Sequence, residues 1–342
     1  MRRRRFLAAI GAAGTVSPAR AADLDAVVVG AGNGCMATVF ASTVASRWFV
    51  RRKGLVVGAL TAATASGQLV FLPLLGYLAS DVGWRWVGIT IGIGALAAVP
   101  LVALFLVNSP ESIGLRPYGA TDDHAAVAPV AHPVRAALEG LGLAWSMGAF
   151  WLLWGSFLVC GLSTNGLIQT HFVSAAHDHG ISATSAAGLL ALVGVFDIVG
   201  TVSSGWLTDR IDPRRLLMIY YALRGVSLLL LQQAFDHRQV GLAAFMVFYG
   251  LDWVATVPPT VALCNELVGR ERGPIVYGWV FAGHQVGAAL ASWGAGWLRD
   301  TTGSYRSAFL VAGVCCLVAA AGVMGIRAPG PRPVVALEPA PA

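Results

Sequence analysis

Long stretches without a charged residue are the feature of this sequence that most restricts its fold. A helix needs about 20 apolar residues to cross the hydrocarbon core of a bilayer. Backbone groups inside hydrocarbon must find hydrogen-bond partners within their own segment, so such stretches are expected to be helices. Seven clear stretches and two weaker ones predict about nine spans, at roughly 26–46, 54–80, 87–107, 145–172, 183–206, 216–235, 240–263, 274–297 and 305–326.

The composition excludes an ordinary water-soluble protein. The 342 residues are 56% hydrophobic and 12% charged, which is about half the charged share of a typical globular domain. A chain of this kind cannot cover its surface with polar groups, and the sequence therefore predicts an all-α polytopic membrane protein. The cysteines lie inside apolar spans without metal-ligand spacing, so they are predicted to be small buried residues: Cys35, Cys160, Cys264, Cys315 and Cys316.

Basic residues are distributed unequally between the two sides of the predicted spans. Taking the loops alternately, thirteen basic residues fall on one side and four on the other. Because short cytoplasmic loops are enriched in Lys and Arg, we expect the first side, and with it the C-terminus, to be cytoplasmic, in a multi-pass protein of the cell's inner (plasma) membrane. The larger set is Arg47, Arg51, Arg52, Lys53, Arg116, Arg135, Arg210, Arg214, Arg215, Arg270, Arg272, Arg327 and Arg332, and the smaller is Arg85, Arg238, Arg299 and Arg306.

The first 25 residues have two interpretations. MRRRRFLAAIGAAGTVSPARAA begins with four arginines, continues with about 11 apolar residues and ends near Ala19-Arg20-Ala21. This layout is typical of a secretory signal peptide, and Arg3 to Leu7 resembles the twin-arginine pattern. The alternative is an aberrant N-terminus that arose by chance.

The glycine-rich stretch AVVVGAGNGC (26–35) raises the possibility of a dinucleotide-binding turn. Such a turn has the pattern G-x-G-x-x-G, with an acidic residue about 20 positions later for the ribose. Cys35 occupies the place of the third glycine, and no Asp or Glu occurs between Asp25 and Asp81. The pattern therefore favours a close-packing helix face, which could also line a substrate path, over a cofactor site. The residues of that face are Gly30, Gly34 and Thr38.

The loop GWLTDRIDPRR (205–215) resembles the signature loop of the major facilitator superfamily, G-x-L-x-D-R-x-G-R-R. Asp212-Pro213 is the departure, because it lengthens the loop by one residue and replaces a glycine. The resemblance implies a gating loop in which Asp209 ends a helix and can pair with arginines; a charged turn without a coupling role is the alternative. The gating-loop candidates are Gly205, Asp209, Arg210, Arg214 and Arg215.

Other stretches resemble monocarboxylate porters and oxalate–formate antiporters of that superfamily. Residues 46–75 look like their fourth-to-fifth helix region, and GWLRDTTGSYRSAF (296–309) looks like their eleventh-to-twelfth helix turn. The resemblance implies a partial major-facilitator fold, with helices four to twelve over about 26–326 and without the first three. The implied parts are a partial N-terminal bundle (26–107), a cytoplasmic linker (108–142), a six-helix C-terminal bundle (143–326) and a cytoplasmic tail (327–342).

Ionisable groups inside hydrocarbon are costly, which makes each of them a functional candidate. Asp197 resembles an aspartate in the eighth helix of monocarboxylate porters that takes part in proton and substrate coupling. That aspartate lies four residues before an arginine, whereas this chain has Thr201, so the paired mechanism cannot be carried over. The candidates for a substrate or proton pathway are Asp197, Arg224, Asp252, His284, Gln285, Asn165 and His171.

Several of these candidates have a structural alternative. Arg224 could offer a charge to a carboxylate, pair with Asp197 or Asp252, or snorkel to the cytoplasmic face. Asp252 precedes Pro258-Pro259, which are expected to break the helical hydrogen-bond ladder. His284 could carry a proton or serve in packing, and His171 is expected to be solvated at the outer interface.

The resemblance implies a secondary active transporter of small organic anions, monocarboxylate-like and proton-coupled, that works by alternating access. The alternative is a truncated remnant that does not transport, or a membrane binding or sensing derivative. The expected partners are a small organic anion, protons and the lipid bilayer, without nucleic acid. No nucleophile–base set or nucleotide loop occurs, so neither an enzyme nor a cofactor is predicted; the His-x-His of AHDHG (176–180) is a weak metal candidate.

Overall fold

The structure is a computed structural model that describes residues 37–78, 82–107, 109–120, 132–236 and 238–327. The signal-like segment, Gly30 and Gly34 of the predicted packing face, and the tail beyond residue 327 lie outside the described residues. So does most of the Ala- and Pro-rich part of the linker.

The described residues form eleven α-helices, a short 3-10 helix (Pro110–Ile113) and no strand beyond an isolated bridge between Phe49 and Tyr118. The prediction of an all-α chain is confirmed. In chain order the helices are α1 (Ala37–Trp48), α2 (Lys53–Tyr77), α3 (Trp84–Phe105), α4 (Pro133–Trp145), α5 (Gly148–Gly161), α6 (Thr170–Asp178), α7 (Ala183–Thr208), α8 (Pro213–Asp236), α9 (Arg238–Asp252), α10 (Val257–Thr302) and α11 (Arg306–Val323).

The described part of each predicted span is largely helical, but residues 26–36 and 79–80 lie outside the described residues, and the spans predicted at 26–46 and 54–80 are not among the described segments that are long and apolar enough to cross a membrane. Six helical segments there are long and apolar enough to cross a membrane, and one of them, Gly241–Thr302, is 62 residues long and contains two of the predicted spans. The stretch between them bends at Gly269, whose φ of 82° lies in the left-handed region that glycine adopts at little cost. The fold is thus the predicted polytopic one.

The helix predicted at 240–263 is broken. α9 ends at Asp252 and α10 begins at Val257, with turns over 253–256. Pro258 and Pro259 occupy the first turn of α10, where their missing N–H groups cost nothing. The predicted effect of the two prolines is therefore confirmed, although the break lies just before them rather than at them.

Two further stretches differ from the predicted spans. The helix predicted at 145–172 consists of α5 and α6 joined by eight residues of π-helix, Leu162–Gln169. The stretch that composition assigns to a linker contains the 13-residue helix α4. The indole of Trp279 on α10 donates to the carbonyl of Ala137 on α4 at 2.9 Å, and this bond holds α4 against the bundle.

Contact between α2 and α7 joins the first described helices to the C-terminal ones. Gly54 and Gly58 on α2 lie against Thr201 and Gly205 on α7, and a Cβ added to Gly58 would sit 2.6 Å from the Thr201 carbonyl oxygen. Small residues let membrane helices pack backbone to backbone. The two helices are consequently in direct main-chain contact at this end of the bundle.

Loops from the more basic of the two predicted sides meet at that same end. The amide of Val50 donates to the carbonyl of Tyr118 at 2.9 Å, and Arg270 donates to the carbonyl of Val50 at 3.0 Å. Arg214 reaches the carbonyl of Ile326 at 2.8 Å. At the other end, α6 and α10 are joined by the ion pair of Asp178 and Arg299, 2.8 Å apart. The grouping of loops agrees with the charge pattern, while the cytoplasmic position of the basic end stays a prediction.

The backbone contact between α2 and α7 gives a prediction about stability. Replacing Gly58 by Ala puts a methyl group against the backbone of α7, and we expect a loss of about 1–3 kcal/mol from overpacking. Gly67, on the same helix, has no atom of the described residues within 4 Å of an added Cβ. Gly67→Ala is therefore the matched control, expected to be neutral or to stabilise by about 0.5–1 kcal/mol through helix propensity.

Thermal unfolding of the two purified variants in the same detergent measures the difference. Equal midpoints for Gly58→Ala and Gly67→Ala would contradict the packing described for α2 and α7.

Candidate functional site

A cavity of about 70 Å³ lies between α1 and α2 on one side and the C-terminal helices on the other. It is bounded by the π segment after α5, by the break between α9 and α10, and by the middle of α10. Its wall contains aromatic rings, hydroxyls, the amides of Asn165 and Gln169, the thiol of Cys160, and the ionisable side chains of Asp197 and His284. The lining residues are Thr38, Thr64, Ala65, Phe157, Cys160, Thr164, Asn165, Gln169, Asp197, Trp253, Val254, Thr256, Val257, Phe281 and His284.

The break between α9 and α10 forms one side of this cavity and must have its backbone groups satisfied by the protein. Water is absent from the hydrocarbon core, so non-helical backbone is tolerated there only where other groups bind it. Side chains of α7 and α8 supply those bonds, so the non-helical backbone of the break is stabilised by the protein itself. The bonds run from Arg224 to the carbonyls of Asp252 (2.6 Å) and Trp253 (3.3 Å), from Ser204 to the carbonyl of Ala255 (2.5 Å), and from the amide of Val254 to Asp197 Oδ1 (3.0 Å).

Arg224 and Asp252 form an ion pair that is almost fully buried. The Arg224 Nε donates to Asp252 Oδ2 at 2.5 Å, and the two side chains are 0% and 5% exposed. A second nitrogen of Arg224 donates to the sulfur of Cys160 at 3.0 Å. The snorkelling alternative for Arg224 is therefore wrong, because the guanidinium lies inside the bundle. Neither charged group of the pair lines the cavity; both lie behind its wall.

Asp197 does line the cavity. It is 1% exposed, and its Oδ1 accepts hydrogen bonds from the hydroxyl of Thr201 at 2.7 Å and from the amide of Val254. Thr201 stands where the resembling porters have an arginine, and here its hydroxyl binds the aspartate that the arginine would accompany. The carboxylate thus keeps a partner at that position but loses the positive charge.

His284 lies on the opposite side of the cavity, on α10. Its ring stacks on Phe281 with centroids 5.2 Å apart and packs against Phe157 at 5.3 Å. The residue is 8% exposed, and its Nδ1 is buried without a hydrogen-bond partner in the described part of the chain. The thiol of Cys160 lies beside the ring. His284 is therefore an imidazole held in place by two aromatic rings.

The remaining pathway candidates divide between the cavity and other places. Asn165 lines the cavity from the π segment, whereas Gln285 does not, since neighbouring residues on a helix point about 100° apart. His171 lies outside the cavity and is 9% exposed; its Nε2 contacts the carbonyl of Ser292 at 2.9 Å and its Nδ1 the hydroxyl of Tyr305 at 3.3 Å. The expectation that His171 is solvated at the interface is wrong.

Cavity residues that the sequence reasoning missed are mostly uncharged. Phe157, Trp253 and Gln169 are examples, and nothing in an apolar helix distinguishes their side chains from packing residues. Thr38 of the predicted packing face lines the cavity, which agrees with the suggestion that this face could also line a substrate path.

Among the described residues no group of three or more potential metal ligands occurs, and in AHDHG the aspartate is paired with Arg299.

Asp209 of the predicted gating loop bridges the two sets of helices. Its carboxylate accepts hydrogen bonds from the amides of Gly54 at 2.8 Å and Leu55 at 3.0 Å, in the first turn of α2. A carboxylate at a helix N-terminus satisfies free amides and favours the helix dipole. The predicted partners were arginines, and the structure provides backbone amides instead.

The arginines of the same loop bind elsewhere. Arg214 pairs with Asp212 at 3.2 Å and with Glu266 at 2.8 Å. Arg210 lies 3.9 Å above the ring of Trp206. Arg215 is exposed. Asp209 is consequently the member of the loop that holds α2 and α7 together.

The position of Asp209 predicts a local change in hydrogen exchange. Asp209→Ala removes the acceptor of two amides, and charge-assisted bonds of this kind are worth about 1.5–3 kcal/mol each. We expect the amides of Gly54 and Leu55 to exchange at least about tenfold faster, as read by mass spectrometry of peptides covering the start of α2.

Asp212→Ala is the matched control for this experiment. Asp212 lies in the same loop but bonds to Arg214 rather than to α2, so exchange at the start of α2 should stay as in the unmodified protein. Unchanged exchange in Asp209→Ala would show that its carboxylate does not cap α2.

The buried ion pair predicts a large loss of stability. Arg224→Met leaves Asp252 buried without its counter-ion, which typically costs about 3–5 kcal/mol. Arg135→Met is the matched control, because the pair of Arg135 with Glu139 is 77% and 50% exposed and such pairs contribute about 0.5 kcal/mol. Thermal unfolding in detergent should separate the two variants clearly, and similar midpoints would count against the ion pair.

The sequence matches the Major Facilitator Superfamily over residues 6–196 and 163–342. It is 32% identical to Monocarboxylate transporter 13 of Rattus norvegicus over 292 residues, which is 84% of this chain and 63% of the rat protein. It is 27% identical to the uncharacterized MFS-type transporter YcxA of Bacillus subtilis over 303 residues, 84% of this chain and 67% of that protein. The chain thus spans about 63% of the length of the rat relative.

Solved structures share the fold. The Major Facilitator Superfamily transporter FucP in its outward conformation superimposes with a TM-score of 0.56 at 19% identity, covering 87% of this chain and 74% of FucP. The E. coli fucose:proton symporter FucP in a second crystal structure gives a TM-score of 0.53 at 18% identity. With the sequence match extending over nearly the whole chain, these findings identify the protein as a member of the Major Facilitator Superfamily and a relative of the monocarboxylate transporters.

Proposed function

We propose that the protein is a secondary active transporter of small organic anions of the monocarboxylate class, coupled to protons and working by alternating access. The observation that carries this proposal is the cavity between the two sets of helices, with Asp197 and His284 in its wall. The relationship to proteins named as monocarboxylate transporters supports the substrate class.

Two features of the cavity favour a small, proton-coupled substrate. A volume of about 70 Å³ is well below the roughly 300–1,000 Å³ of pockets for drug-sized ligands, which suits an acid of a few carbon atoms. Imidazole changes its charge near physiological pH, and buried carboxylates in transporters commonly relay protons. His284 and Asp197 are accordingly the proposed proton sites.

Alternating access requires the contact between α2 and α7 to open. In this proposal residues 26–107 belong to the N-terminal bundle and 143–326 to the C-terminal one, joined by the 108–142 linker, so the contact lies between the bundles. Opening its basic end would separate Gly58 from Thr201 and break the bonds of Asp209 to α2. We assign the basic end to the cytoplasm of the inner (plasma) membrane from the charge bias, which makes the present arrangement closed toward the cytoplasm.

Uptake of labelled L-lactate into proteoliposomes that contain the full chain tests the proposal. An inward proton gradient should drive accumulation, and a protonophore should abolish it. Asp197→Asn should lose gradient-driven accumulation because the amide cannot exchange a proton. Asp178→Asn is the matched control: Asp178 lies outside this cavity, paired with Arg299, and accumulation should persist.

The outcomes separate the two functional hypotheses. Accumulation that depends on Asp197 supports a proton-coupled carrier, and accumulation that Asp197→Asn leaves intact would remove Asp197 from the coupling. Absence of uptake for lactate and other short-chain carboxylates would favour the non-transporting binding or sensing protein.

A further inference from the structure

We infer that the cavity also takes zwitterionic amino monocarboxylates, whose ammonium group binds to Asp197 while neutral donors of the wall hold the carboxylate. This inference rests on the proposed function in taking the cavity to be a transport site, and it adds a second class of substrate. L-Alanine is the model compound, because it differs from L-lactate only in carrying an ammonium group where lactate has a hydroxyl.

The charges in and behind the wall favour a cation beside Asp197. Its carboxylate lines the cavity, and no Lys or Arg does so in the described residues. Arg224, which lies behind the wall, is paired with Asp252 and donates to two carbonyls of the helix break. A buried carboxylate is stabilised by an opposite charge, and the ammonium of a substrate can provide that charge.

The carboxylate of Asp197 can accept one more donor. The side chain is 1% exposed and is held by the hydroxyl of Thr201 at 2.7 Å and the amide of Val254 at 3.0 Å. Both of these hydrogen bonds end on Oδ1, so within the described residues they leave Oδ2 for a ligand. Donors of this kind favour the ionised form of a carboxylate, which is the form that binds an ammonium group.

Aromatic rings line the same cavity. Trp253 directly precedes the residue whose amide binds Asp197, and Phe157 and Phe281 contribute rings from α5 and α10. Aromatic faces attract ammonium groups, and apolar surroundings strengthen the attraction between an ammonium group and a carboxylate. A wall with one carboxylate and three aromatic rings therefore suits a cation better than a second carboxylate beside Asp197.

Neutral donors remain for the carboxylate of the substrate. The π segment places Asn165 and Gln169 in the wall, and each side-chain amide carries two N–H donors. These residues follow α5, whereas Asp197 belongs to α7, so the two ends of a zwitterion meet different helices. Such a substrate can be bound at both ends without any positively charged side chain.

The net charge of the loaded cavity is the same for both classes of substrate. A lactate anion together with a protonated Asp197 gives one negative charge, and zwitterionic alanine together with an ionised Asp197 also gives one. This count takes Cys160 and His284, the other titratable groups of the described wall, as neutral. The ammonium group therefore takes the place of the coupling proton, and we expect alanine to cross without one.

The test measures exchange of labelled L-alanine and labelled L-lactate by proteoliposomes that contain the full chain. In the unmodified protein both compounds should exchange. A protonophore should abolish the accumulation of lactate under an inward proton gradient and should leave the exchange of L-alanine unchanged.

Asp197→Asn separates the two substrates, because it removes the charge of the side chain and little of its volume. An amide cannot pair with an ammonium group, so KM for L-alanine should rise at least about tenfold relative to KM for L-lactate, the equivalent of one charge-assisted hydrogen bond. Asp178→Asn is the matched control: Asp178 lies outside this cavity, paired with Arg299, and the ratio of the two KM values should stay as in the unmodified protein.

The outcomes separate the inference from the proposed function. If the unmodified protein exchanges L-lactate but not L-alanine, or if Asp197→Asn leaves the ratio of KM values unchanged, the inference is wrong and the proposed function stands. Exchange of L-alanine alone, dependent on Asp197, would support the inference and remove L-lactate from the substrates. If neither compound is exchanged, the proposed function fails and the inference fails with it.

Ligand-induced stabilisation gives a second measurement that needs no variant. L-Alaninamide and L-lactamide have nearly the same size and lack the carboxylate, and at neutral pH the first carries an ammonium group where the second has a hydroxyl. L-Alaninamide should therefore raise the unfolding temperature of the purified protein more than L-lactamide does. Equal stabilisation by the two amides would overturn the ammonium site even if Asp197→Asn fails to fold.

Discussion

The bonds of Arg224 and Asp197 to the break between α9 and α10 are the interactions on which the candidate site depends. Non-helical backbone inside a bilayer needs internal partners, and Arg224 supplies them to the carbonyls while Asp197 supplies one to an amide. A buried guanidinium in turn needs a counter-ion, which Asp252 provides at the end of α9. All three buried charged groups thereby help to build the break, and of the three only Asp197 also lines the cavity. Asp197 and His284 are the two ionisable groups, other than the thiol of Cys160, that line the cavity in the described residues.

The contact that closes one end of the cavity depends on residues of a different kind. Gly58 allows the backbone of α2 to touch that of α7, and the Asp209 carboxylate fixes the first turn of α2 across the same boundary. Apolar side chains give little preference for one helix partner over lipid. Close backbone contact and the two hydrogen bonds of Asp209 therefore make the contact between α2 and α7 specific. In the proposed transport cycle this contact is small enough to separate.

The sequence predicted the spans well because hydrophobic length is a local property, and it found the buried ionisable groups for the same reason. It offered Asp197 or Asp252 as a possible partner of Arg224 but could not choose between them, and it gave no partner for His171. Arg224 meets Asp252 from another helix, and His171 meets Ser292 and Tyr305, more than a hundred residues away. Pro258-Pro259 predicted the break near Asp252, but no local sequence pattern predicted the π-helix that places Asn165 in the cavity. For an aromatic residue such as Phe157, the sequence does not show whether the side chain lines the cavity or packs in the core.

Thr201 is the position at which the charge of this site differs from that of the resembling porters. In the resembling porters an arginine at this position accompanies the aspartate and supplies a charge that is present at every pH. Here the hydroxyl of Thr201 binds Asp197 and contributes no charge. A small anion in this cavity therefore meets a carboxylate that is held by a hydroxyl and a backbone amide, and among the described lining residues no Lys or Arg stands beside it; the donors that remain there are hydroxyls and the amides of Asn165 and Gln169.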